Sequence, residues 1–133
     1  MPRRDLSTTG LAGLLITSGV VHLVRPQVFE SIVPAPLRGH RRELVYVSGV
    51  LEILCGAGLL VPRTRRVAGL ASAVLLVAVL PANVQMSLDH GRRARRRRTT
   101  GSRAAFAGTL ARLPLQLPLV RAALRAARSA PRR

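Results

Sequence analysis

The sequence predicts an all-α membrane protein. The expected architecture is a four-transmembrane-helix bundle with antiparallel neighbours and a short interfacial segment between helices 1 and 2. Three observations lead there. The chain of 133 residues pairs a positive mean hydropathy (+0.25) with a net charge of +17. Its apolar residues gather into four long stretches, and proline, arginine or other polar residues close each one. No stretch alternates with period two, and an open sheet edge is not viable in lipid. The length suits one domain, residues 1–133.

The first span is Leu6 to Val24, closed by Arg25-Pro26. Arg3-Arg4 before it resembles the start of a signal peptide, but the apolar run is long and shows no A-x-A site, so it reads as a retained helix. Between Arg25 and Glu43, apolar residues alternate with Pro26, Pro34 and Pro36, which suggests a short helix or turn at the membrane surface. The second span is Leu44 to Val61, and the tight turn to Val67 makes helices 2 and 3 antiparallel neighbours. The third is Val67 to Leu88; within it, Gly69 to Leu80 carries no charge on any face, unlike a helix of a soluble bundle. Residues 89–103 form a basic loop expected to be disordered or lipid-associated, and residues 125–133 form a basic tail. The fourth span, Ala104 to Leu124, is interrupted by Arg112. Each stretch approaches the roughly 20 residues that cross about 30 Å of hydrocarbon.

Composition excludes several classes. A single cysteine, Cys55, rules out a disulfide framework and cysteine-rich metal modules. Three aromatics, Phe29, Tyr46 and Phe106, form no stacking platform for single-stranded nucleic acid. All 22 basic residues are arginine. The Arg92 to Arg98 run could hold phosphate without sequence preference, but beside a span its natural partners are anionic lipid headgroups rather than nucleic acid. Arginine counts do not orient the chain: ten lie on the side of the termini and eleven opposite.

Polar residues within the spans are the functional signal. Glu52 lies mid-span among Ser48, Gly49, Cys55 and Gly56, a small-residue face that admits a neighbouring helix. Glu52 should therefore point into the bundle, either protonated or paired, and Arg112 in the fourth span is the natural partner. His22, Asn83, Gln85 and Arg112 fall in one half of the membrane, with Glu52 and Gln116 nearer its middle. The candidate ligand-binding set is His22, Glu52, Asn83, Arg112 and Gln116. The Glu52–Arg112 pair reads either as helix glue or as a ligand or proton site, and His22 as an interfacial histidine or a proton shuttle. Pro81, Pro114 and Pro118 predict kinks. His40 and His90 lie in loops without metal-ligand spacing, and no catalytic motif, cofactor loop or metal motif appears.

In order along the chain stand Gly19-Val20-Val21-His22 with Arg25-Pro26, Ile32-Val33-Pro34, and Leu44 to Ile53 with Glu52. Then come Gly58-Leu59-Leu60-Val61-Pro62-Arg63-Thr64-Arg65, Pro81-Ala82-Asn83-Val84-Gln85-Met86, and Arg112-Leu113-Pro114-Leu115-Gln116. This pattern resembles the DoxX-like family of small bacterial four-helix membrane proteins. The resemblance implies a multi-pass bundle in the cytoplasmic membrane, often with both termini inside, and a polar cluster matching the five residues above. Some relatives are linked to quinone-coupled oxidation of sulfur compounds, which implies a membrane oxidoreductase partner and quinone through it. The Arg92 to Arg98 run departs from that pattern and would lie outside if the termini are inside. Three functions follow as expectations: a polar cluster binding a small ligand or supporting a redox partner, a purely structural or accessory subunit, or a small transporter or proton conductor using Glu52 and His22.

Overall fold

The structure is a computed structural model, which describes residues 6–131. Along the chain run α1 (Leu6–Val24), a one-turn α2 (Gln27–Glu30), a 3-10 turn (Ala35–His40), α3 (Arg41–Leu60), α4 (Arg65–Ala78), α5 (Leu80–Arg97) and α6 (Thr100–Arg128). No strand occurs among the described residues. Three stretches are long and apolar enough to cross a membrane: Leu6–Val24, Ala35–Leu60 and Arg65–Arg97, the last counted across α4 and α5. α6 has the length but carries Arg103, Arg112 and Arg121 along it. Arg3, Arg4, Arg132 and Arg133 lie outside the described residues.

Leucines and valines stand exposed on every long helix, among them Leu14, Val20, Val47, Leu54, Val74, Val77, Leu115 and Leu117. The buried core is Leu11, Ala12, Leu15, Cys55, Leu59, Ala68, Ala73, Leu76, Ala123 and Ala126, four leucines among small residues. Large apolar side chains turned outward, with glycines and alanines where the helices meet, are the pattern of helices packed in lipid, where the outer surface gains nothing from water and close backbone approach drives association. With three stretches long and apolar enough to span, these are the features of a helical membrane protein.

Two intimate helix pairs make up the bundle. α1 and α3 touch backbone to backbone: a Cβ on Gly19 would lie 2.5 Å from the Gly49 carbonyl oxygen, and one on Gly49 would lie 2.7 Å from His22 Cβ. α4 and α6 meet the same way, with a Cβ on Gly69 falling 2.7 Å from both the Ala123 carbonyl oxygen and the Ala127 nitrogen. The Val61–Thr64 turn joins the pairs. There Thr64 donates to the Gly58 carbonyl and Arg65 Nε donates to the Leu59 carbonyl at 2.9 Å, so the guanidinium is buried against the end of α3. Cations suit helix C-termini.

One expectation is met and one is corrected. The third span is one apolar stretch that kinks as Pro81 predicts: helix stops at Val79, because Pro81 has no N–H to give the Val77 carbonyl and its ring crowds the preceding turn. The basic loop expected over 89–103 is mostly helix. α5 continues to Arg97, only Arg98 and Thr99 are non-helical, and Thr99 caps α6 by accepting from the Ser102 N–H at 3.2 Å. Arginine is a good helix former, and Gly91 lets the Phe106 ring of α6 pack against α5 at 3.0 Å from where a Cβ would stand. Local propensity and one aromatic contact outweigh like-charge repulsion here. The segment between α1 and α3 is ordered as expected: the Glu30 carboxylate takes Arg42 Nε at 3.2 Å and Arg41 Nε at 3.6 Å, which pins α2 to the start of α3.

Candidate functional site

The close α1–α3 contact decides where Glu52 points. With Gly19 and Gly49 allowing the backbones to meet, the carboxyl is buried one turn further along α3, facing His22 of α1. His22 Nδ1 lies 2.7 Å from the Ser18 carbonyl, which can only accept, so that nitrogen carries a proton. The same Nδ1 stands 3.5 Å from Glu52 Oε2. Its hydrogen is already engaged, and Oε2 is buried without a hydrogen-bond partner among the described residues. Oε1 fares little better, receiving Ser48 Oγ at 3.4 Å. A buried carboxyl oxygen lacking a donor is costly, and such an atom marks a place where something else should bind.

Phe29 closes the site on one side. Its ring stacks on the His22 imidazole with centroids 3.7 Å apart and planes 12° from parallel. The other edge of Phe29 reaches a groove of about 400 Å³ between α1 and α6, lined also by Thr17, Ser18, Val21 and Arg112. Phe29 and Ser18 thus belong both to the buried histidine site and to the open groove.

The five residues expected to form one cluster do not. Glu52 takes His22 and not Arg112, and no ion pair joins Glu52 to Arg112. Arg112 instead stands exposed in the α1–α6 groove, because the backbone contact of α1 with α3 leaves no room for a guanidinium between them. Asn83 and Gln116 form a separate clasp at the helix break. Asn83 Nδ2 donates to Gln116 Oε1 at 2.9 Å, and Gln116 Nε2 donates to the Leu76 carbonyl in the last turn of α4. Carbonyls there lose their intrahelical donors, so the amide of α6 supplies one. Gln85 turns away to Asp89, at 3.1 Å. Pro81 does aim Asn83 inward, as the kink suggested, toward a structural partner.

Reading the sequence missed Phe29 and Ser18 as members of the site, and set Ser48 beside Glu52 only as a small residue, not as a donor to it. Phe29 carried a signal: it is one of three aromatics in the chain and lies between prolines in an apolar connection. Among the described residues no three histidine, cysteine or acidic side chains gather into a metal-binding group. The groups available for a ligand are therefore a carboxyl acceptor, an imidazole, two hydroxyls and a guanidinium, arranged from buried to open.

A family model described as Domain of unknown function (DUF8561) matches residues 11–127. No curated protein and no solved structure matches the chain.

Proposed function

Since the chain belongs to the DUF8561 family, a domain of unknown function, we propose its role from its own residues: a DoxX-like, four-span protein of a bacterial cytoplasmic membrane that binds a small lipid-soluble ligand of the quinone class at His22, Glu52 and Arg112, and so supports a membrane oxidoreductase partner. The observation that carries this reading is the unpartnered, buried Oε2 of Glu52 beside a stacked His22–Phe29 pair. α6 is the fourth span in this reading. It packs along both α4 and α5, from Gly69 to Gly91, and carries exposed Leu110, Leu115 and Leu117, so it occupies the same depth as the span it lies against.

The residues fit such a ligand. A quinol hydroxyl would donate to Glu52 Oε2, and a quinone carbonyl would accept from the Arg112 guanidinium. Thr17 and Ser18 add short polar contacts in the groove, and Phe29 is the ring a ligand must displace or lie against to reach His22. The protein's part is to hold and orient the ligand in a water-poor setting. Asn83 and Gln116 belong to a second reading, as structural glue, because their amide groups are matched to each other and to Leu76.

A short-chain quinone titrated into the protein in nanodiscs tests the proposal. The wild type should bind, and Glu52→Gln and Arg112→Leu should each weaken binding by about tenfold or more, the size expected for a charge-assisted hydrogen bond. Helix content should stay unchanged in both. Equal binding by all three proteins would overturn the ligand site.

A further inference from the structure

The helical hairpin of α5 and α6 stands beyond the rest of the bundle. Arg112 shares its groove with Ser18 and Val21, so Gln116, one turn further along α6, is level with the middle of α1. Asn83 of α5 is bonded to Gln116 and so shares that level; 15 residues of rise from it put Arg98 about 22 Å away, while α1 ends after about 14 Å. Hydrocarbon gives way to headgroups about 15 Å from the bilayer centre, and the headgroups end at about 22 Å. The outer half of the hairpin therefore occupies the headgroup layer.

At that depth the hairpin has a groove of about 430 Å³. Arg95 and Arg98 reach it from the α5 side and Arg103 from α6, over a floor of Gly91, Ala94 and Phe106. Their charges are unanswered from within. Among the described acidic residues, Glu30 takes Arg41 and Arg42, Glu43 takes His40, Glu52 faces His22, and Asp89 takes Arg92 at 3.8 Å. Three exposed arginines around one open groove, with no carboxylate paired to them among the described residues, offer a place for an anion from outside.

We propose that this groove is a binding site for the phosphate group of an anionic membrane lipid, one per chain. It is distinct from the diffuse attraction of the other arginines, and it rests on the membrane setting alone, independent of any ligand at Glu52. Guanidiniums match phosphate oxygens bidentately, the apolar floor suits the glycerol end of a headgroup, and the depth matches the headgroup layer.

Native mass spectrometry of the detergent-purified chain with phosphatidic acid tests it. Arg95, Arg98 and Arg103, all changed to alanine, should lower retention of one lipid by about tenfold or more. Arg93, Arg96 and Arg97, all changed to alanine, remove the same charge from the remainder of α5 and should keep it. Both variants should retain wild-type helix content, and soluble glycerol phosphate should not displace the lipid. Equal loss in the two variants would reduce the groove to general charge, and displacement by glycerol phosphate would assign it to a free phosphate ester. Either result overturns the proposal.

Discussion

Gly49 shows how one missing side chain positions the candidate site. An added methyl would meet His22 Cβ at 2.7 Å and the Gly19 carbonyl oxygen at 2.9 Å, both fixed atoms. Gly49→Ala should therefore destabilise the protein by about 1–3 kcal/mol, the usual cost of overpacking, as read by loss of helix in a denaturing-detergent titration. At Gly108, where a Cβ would meet nothing within 4 Å, the same substitution should change little. Glu52→Gln should behave in the opposite sense to a structural lesion. It removes a buried ionisable group whose Oε2 has no donor, so stability should hold or rise while ligand binding falls. The sequence displayed the carboxyl and its small-residue face. It could not show which helix would come against that face: charge pointed to Arg112 in the fourth helix, and the close approach at Gly19 brings α1 there instead.

Between elements, the break at Val79 and the amide clasp over it form one unit. Pro81 opens the helix, and Gln116 and Asn83 close the polar gap from α6 and α5. Gln116→Leu should cost about 1 kcal/mol, since interhelical hydrogen bonds in membranes are modest. Adding Asn83→Ala to it should cost less than the sum of the two single changes, because the two side chains share a bond. Measured additivity would mean that the clasp does not hold. Pro81 told of the kink in advance, and the end of the first span at Val24 was legible to the residue. The helical continuation through Arg92–Arg97 was not legible. A dense charge run reads as solvated loop, and only the packing of Phe106 on Gly91 shows why the helix persists.

For the whole molecule, a four-span arrangement fixes which ends share a side. Cysteines introduced at Gly39 and Ser102 should label from one face of sealed vesicles and one at Arg63 from the other, while buried Cys55 stays unreactive without removal. Labelling of Ser102→Cys together with Arg63→Cys would mean that the α4–α5 stretch does not cross, and labelling of Ser129→Cys together with Ser102→Cys would mean that α6 does not. Membrane class was readable from hydropathy and charge, since lipid leaves its imprint on every outward residue. Sidedness was not, because arginines are nearly balanced between the two ends. The hairpin tilts that balance in space rather than in number. Its arginines gather at one end of the molecule, each with a planar fork of donors. A spur held by charge at the edge of water answers to salt, so rising ionic strength should loosen its hold on a headgroup.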